Sequence, residues 1–286
     1  MVAVRLNGGI GNQLFIYTAA RALAQRLGTE VVLNTSKGFV IDFRYHRTFE
    51  LAPFQLSYLT DPILTFDYRG SGKVQELSRR IGRNFFRPGY VYLKDNTDNT
   101  SVDDRFFKIK SKNVFLEGFW QSPMYFQEYE QLIRQDLSFP ADLELKLKDK
   151  IGIIKDCSAR THVCMGVRRY QECVDLGRLV RIDEDYYLKA MDYVSKYTEN
   201  TPMFHIYTQD VDWVKKHIVE KTDFDIVIEQ ERSTIEDLCL MSKYHYHIIS
   251  NSTFYWWGAW LADGKMVVTT DKFINKHSNL SKWIII

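Results

Sequence analysis

Short apolar runs, each followed by a polar turn and then an apolar stripe at helical spacing, recur along this chain. The first run covers residues 2–6 and leads into Asn7-Gly8-Gly9-Ile10-Gly11-Asn12-Gln13. A helix is expected over about 12–27, because Phe15, Ala19, Ala22, Leu23 and Leu27 recur on one face and Gly28 can close it as a C-cap. Residues 31–33 form a second strand. The second half alternates more plainly, with strands expected over 162–167, 203–207, 225–228, 246–249 and 266–269. Helices are expected between them, over 183–197, 211–219 and 234–242. Strands alternating with helices predict an α/β protein whose parallel sheets are covered on both faces.

Between these regions the pattern is weaker. Residues 37–112 mix aromatic and basic runs, such as 43–47 and 79–83, with polar stretches such as 95–99. The run at 79–83 reads as a solvated helix face. Residues 114–121 read as a strand, 125–137 as a helix and 142–155 as a charged helix without a strong apolar stripe. A domain boundary is expected within 140–158, dividing the chain into 1–155 and 156–286.

The stretch from Ser250 to Leu261, Ser-Asn-Ser-Thr-Phe-Tyr-Trp-Trp-Gly-Ala-Trp-Leu, organises the second half. A strand feeds four small polar residues that can cap the aromatic helix behind them. Unpaired amides and the positive dipole end then make the turn an anion site, and phosphate is its common ligand. The competing reading is a capped core helix whose three tryptophans are packing.

Composition narrows the field. At 286 residues and 45% hydrophobic, the chain can bury a full core in two domains. A net charge of +2 advertises neither nucleic acid nor an anionic membrane. Cys157, Cys164, Cys173 and Cys239 show no Cys-x-x-Cys spacing, which argues against zinc and for reduced thiols in the cytoplasm. No apolar window is long enough to span a bilayer, which allows only peripheral membrane association. The glycine loop fails as a dinucleotide fingerprint: the third glycine is missing, and the second strand runs into Asn34 where an acid would be needed.

Ligands of parallel sheets bind beyond the carboxyl ends of the strands. Arg168, Arg169, Asp210, Ser250, Asn251, Ser252 and Thr253 all fall there. Adjacent arginines beside a helix N-terminus suit a phosphate or diphosphate, because the guanidinium fork can hold two oxygens. Arg168 is the expected ligand and Arg169 the expected support. Asp210 could accept from a ribose hydroxyl or a base, or cap the next helix. Asp210-Val211-Asp212 also spells a metal-binding Asp-x-Asp, although an acid at 212 is favoured in a helix's first turn anyway. No Walker lysine loop is present, so a diphosphate held as a leaving group fits glycosyl transfer better than phosphoryl transfer.

These segments resemble the signature regions of the α-1,2-fucosyltransferases, glycosyltransferase family 11. The likeness lies in Asn7 to Phe15, Arg168-Arg169 and Glu236 to Leu261, with weaker echoes over 116–126 and 206–213. It implies a GT-B-like fold of two Rossmann-like lobes with parallel sheets and a cleft between them, the N-terminal lobe serving the acceptor and the C-terminal lobe the nucleotide sugar. GDP-fucose would be the donor, with no metal required, and a galactose-terminated glycan the acceptor through its O2, with inversion. Arg168 would hold the β-phosphate and act catalytically. Asn251, Ser252 and Thr253 would lie at the phosphates, Asp210 at the guanine and Asn12 at the donor. The chain departs from the family's His-x-Arg-Arg-Gly-Asp-Tyr, because Gly166 replaces the histidine, Tyr170-Gln171 replaces Gly-Asp, and Gln209 replaces an acid. His162 lies too far along the strand to substitute, and neither Glu172 nor Asp175 is assignable as a base. The alternatives are a transferase of the same fold using another nucleotide sugar, and a degenerate nucleotide- or glycan-binding relative without turnover.

Overall fold

The structure is a computed structural model that describes residues 1–35, 38–39, 45–60, 90–95, 102–169, 180–273 and 277–286. The runs at 43–44 and 79–83 lie outside the described residues. The chain forms two compact units, Met1–Ser138 and Phe139–Ile286.

The first unit is built on a parallel sheet of β1 (Val2–Arg5), β2 (Val31–Asn34), β3 (Leu59–Thr60), β4 (Val91–Lys94) and β5 (Val114–Glu117), in the order β3-β2-β1-β5-β4. Val2, Ala3 and Val4 are fully buried, as continuous apolar strands of a covered parallel sheet should be. Helix α1 (Ile10–Leu27) packs on this sheet. It ends where Gly28, at φ 61°, turns left-handed and the amides of Gly28 and Thr29 reach back to Gln25 and Ala24. A one-turn helix, α2 (Asp104–Phe107), precedes β5.

Two expected elements are shorter than their apolar patterns. The strand at 114–121 stops at Glu117, because Gly118 and Trp120 take φ values of 135° and 54°, outside strand geometry. The helix at 125–137 begins as 3₁₀ turns at Pro123–Tyr125 and Gln127–Tyr129, and only α3 (Glu130–Asp136) is α-helical. Phe126, at φ −137° and ψ −2°, interrupts it.

The expected charged helix at 142–155 is two helices, α4 (Ala141–Lys146) and α5 (Lys148–Lys155), both in the second unit. Its charges explain the placement. Glu144 pairs with Lys243, Lys146 with Glu236 at 2.7 Å and Lys150 with Glu229 at 3.0 Å. The compact units therefore divide at Ser138, ahead of the expected boundary at 155.

The second unit carries β6 (Thr161–Val167), α6 (Glu184–Ser195), β7 (Pro202–Thr208), α7 (Val211–His217), β8 (Asp225–Glu229), α8 (Thr234–Met241), β9 (Tyr246–Ile249), α9 (Thr253–Ala262), β10 (Met266–Thr269) and β11 (Ile284–Ile285). All six strands are parallel, in the order β11-β10-β9-β6-β7-β8. One face of β6 and β7 (Val163, Met165, Val167, Phe204, Ile206) packs with Tyr187, Ala190, Met191 and Val194 of α6 in one apolar core. Trp256, Trp257 and Trp260 are buried, and the Trp256 indole donates to the Ser278 carbonyl at 2.7 Å. The tryptophans of α9 are therefore packing.

Candidate active site

Strand register brings the second unit's polar turns to one level. Val167 pairs with Thr208, Gly166 pairs with Ile249, and the Ser250 amide donates to the Gly166 carbonyl at 3.2 Å. Arg168-Arg169, Gln209-Asp210 and Ser250-Asn251-Ser252 thus emerge side by side at the carboxyl edge of the sheet.

Each residue has a distinct position there. The Arg168 guanidinium donates to the side-chain oxygen of Gln209. Because Gln209 is neutral, this contact orients the arginine without cancelling its charge. The Arg169 guanidinium lies over the Trp213 ring, 4.4 Å from its centroid. Its backbone N–H donates to the Asp210 carboxylate at 3.4 Å, and the Asp210 amide donates to the Thr208 hydroxyl at 2.9 Å. Asp210 occupies the N-cap position of α7, but its side chain makes no capping bond and is turned toward the β6 end instead. Asp212 lies in the first turn of α7.

The Asn251 side-chain amide donates to the Val180 carbonyl at 2.9 Å and to the Lys272 carbonyl at 3.4 Å. Ser252 is the N-cap of α9 without capping it through its side chain, and Thr253 opens the helix. Helical geometry supplies no carbonyl for first-turn amides, and the helix dipole adds positive potential at that end.

Three buried donors at this edge lack a hydrogen-bond partner among the described residues: Arg169 Nε, Tyr187 Oη and Ser250 Oγ. Tyr187 and Ser250 are fully buried. The Tyr187 hydroxyl approaches the Ser250 side chain and the Arg168 backbone without a bond of ordinary geometry, and burial raises its pKa, so it stays protonated. Buried polar groups are normally paired, so these three donors are available to a polar partner. Nothing local in the sequence singles out Tyr187, whose helical spacing puts it on the apolar face of α6.

The glycine loop belongs to the first unit. Gly8 sits at φ 72°, and a Cβ there would lie 2.6 Å from the Asn12 amide nitrogen. Asn12 Oδ1 accepts from Gln121 beyond β5 at 2.9 Å. Gln13 is a clamp. Its amide donates to the carbonyls of Gly8 and Thr48, both at 2.9 Å, and its oxygen accepts from the Glu50 amide at 3.0 Å.

His162 is committed elsewhere, with its Nδ1 2.8 Å from Nε2 of His205 near the opposite end of β6. Tyr170, Gln171, Glu172 and Asp175 lie outside the described residues. Among those described, no group of three or more His, Cys, Asp or Glu is placed to hold a metal ion, and no helix is long and apolar enough to cross a membrane.

The profile of Glycosyl transferase family 11 matches residues 1–284. The chain belongs to that family. It is 26% identical over 282 residues to an Escherichia coli alpha-1,2-colitosyltransferase, covering 94% of this chain and 90% of the relative. It is 27% identical over 308 residues to the Escherichia coli O-antigen biosynthesis glycosyltransferase WbnK, covering 98% of both. A galactoside 2-alpha-L-fucosyltransferase of Caenorhabditis elegans is 24% identical, with 90% of this chain and 68% of that one covered. Among solved structures, Arabidopsis thaliana FUT1 in complex with GDP superposes with a TM-score of 0.58 at 12% identity, covering 94% of this chain and 69% of that one. The alpha-1,6-fucosyltransferase NodZ soaked with GDP-fucose gives 0.54 at 12% identity, covering 94% of each. The chain is thus a glycosyltransferase of GT-B-like fold, made of two parallel α/β units.

Proposed function

We propose that this glycosyltransferase moves L-fucose from GDP-fucose to the O2 of a terminal β-galactoside, with inversion. What carries the reading is the gathering of Arg168, Asp210, the start of α9 and three orphaned buried donors at one sheet edge. Family membership and the alpha-1,2 specificity in relatives' names support it.

On this reading the acceptor O2 bonds to the anomeric carbon from the face opposite GDP as the bond to the β-phosphate oxygen breaks. The O2 proton passes to solvent water, and negative charge grows on the departing β-phosphate. Arg168 meets that charge with a guanidinium already oriented by Gln209, and fixed donors aimed at developing charge lower the barrier. Tyr187 Oη, Ser250 Oγ and the first turn of α9 supply further donors, Ser252 and Thr253 line the phosphates, and Asp210 faces the guanosine. Asn251 holds the loop that carries them. No metal is required on this reading, because the cationic edge itself offsets the charge of the diphosphate. The setting is the cytoplasm, with contact to a membrane surface no closer than peripheral.

A second reading is favoured by the colitosyl relative: the sugar transferred is colitose, the 3-deoxy counterpart of fucose. A donor screen by thermal shift and GDP release separates the two. GDP-fucose should stabilise the protein and release GDP only with acceptors that carry a galactose O2 hydroxyl. Release from GDP-colitose alone would move the assignment to the second reading, and stabilisation by UDP-sugars alone would refute both.

A further inference from the structure

Gly166 is the last residue but one of the buried strand β6, where glycine has nothing to pack and weakens the element. Its backbone does not need glycine, because it is not among the positive-φ residues. Its neighbour does. A Cβ at 166 would fall 2.2, 2.5 and 2.6 Å from three atoms of the Tyr255 ring, inside any tolerable contact. The Tyr255 ring therefore fills the space that a side chain at 166 would claim.

Tyr255 then does something with that position. It sits in the first turn of α9, the turn that opens on the proposed phosphate seat. Its buried hydroxyl proton is shared between the Tyr207 carbonyl at 2.8 Å and the Val167 carbonyl at 3.2 Å. Val167 immediately precedes Arg168, and Tyr207 lies three residues before Asp210. One side chain thus joins the carboxyl ends of β6 and β7 to the start of α9, the three elements that carry the site.

We propose that Tyr255 is a positioning residue for transfer, and that Gly166 and Tyr255 form one complementary pair. The ring fills the volume that a side chain at 166 would take, and the hydroxyl fixes Arg168, Asp210 and the first turn of α9 relative to one another. This inference rests on the donor site proposed above.

Three variants test it. Tyr255→Phe keeps the ring and removes the hydroxyl. Its kcat per folded molecule should fall about tenfold or more, because small displacements of charge-stabilising groups are costly, while the Kd for GDP measured by calorimetry should change less than about threefold. A merely structural tyrosine would lower the melting temperature and leave kcat unchanged, and that result overturns the proposal. Gly166→His alone should lose at least about a hundredfold in kcat/KM or fail to fold. Gly166→His with Tyr255→Ser should recover at least about tenfold over the single variant, and a double variant no better than Gly166→His would also overturn it. Wild-type protein that binds no GDP would sink the donor site itself, and this proposal with it. GDP binding and turnover by the wild type, with Tyr255→Phe unchanged, would sink only the positioning role.

Discussion

Glu229 is a heavily bonded buried charge of the second unit, and Glu229→Gln is the perturbation that measures it. Its side chain is 3% exposed. One oxygen accepts from His205 Nδ1 at 2.8 Å and the other from Arg232 at 2.7 Å, while Lys150 reaches both at 3.0 Å. Burial alone would raise its pKa, yet the bonds from His205, Lys150 and Arg232 overcome that and hold it at about 2. The gap from the ordinary 4.5 corresponds to about 3 kcal/mol of stability. Removing one partner of a buried charge pair costs about 3–5 kcal/mol, which agrees. Because the folded pKa is depressed, this stability is present above pH 4.5 and is lost as pH falls toward 2. At pH 7 the glutamine variant, whose amide hydrogens would face donors, should unfold in urea with about 3 kcal/mol less free energy. Tryptophan fluorescence reads the transition, since three tryptophans of α9 are buried in this unit. A loss below about 1 kcal/mol would refute the reasoning. It would also undo the account of why α5, which carries Lys150, belongs to the second unit.

Two further outcomes are expected. His247 is fully buried, and its pKa is lowered to about 4, by burial first, against a bond to the Tyr244 carbonyl that raises it. The unfolded chain therefore binds the proton more readily, so wild-type stability should fall by about 3 kcal/mol between pH 6.5 and 4 from this group. Unfolding curves of wild type and His247→Gln should converge or cross over that range, and parallel curves would contradict the assignment. Gln13→Ala should cost about 2–3 kcal/mol in denaturant unfolding, because three partly buried hydrogen bonds to Gly8, Thr48 and Glu50 are lost together. A loss under about 1 kcal/mol would show that residues 48–50 are held by something else.

The second half of the chain was legible because period-2 and period-3.6 signals alternate there without conflict. The expected strands and helices lie within two residues of those observed, and the turn at Ser250 falls where four small polar residues meet an apolar helix. The first half was harder. β4 reads Val-Tyr-Leu-Lys, half exposed and without a strong alternation, and β3 is only two residues long. At Trp120 a bulky residue in the left-handed region ends an apolar run that looked like strand, and no local rule anticipates that. The charged stretch at 142–155 looks like a linker until its partners Lys243, Glu236 and Glu229 are in place. That Arg168 and Asp210 stand at strand ends was legible from the sequence. The contacts of Tyr187 and Tyr255 were not, since they join residues far apart in sequence, and the ring that fills the space above Gly166 has no local signal.

The central claim is that an arginine at the end of β6 faces the charge that develops as the nucleotide departs. The most direct measurement is the rate of GDP release by Arg168→Ala from GDP-fucose with a β-galactoside acceptor, on protein whose circular dichroism and melting temperature match the wild type. Loss of one such fixed donor is worth about 2.7–4 kcal/mol, so turnover should fall at least about a hundredfold, and Arg168→Lys should recover little of it. Turnover near the wild-type rate in the alanine variant would contradict the account.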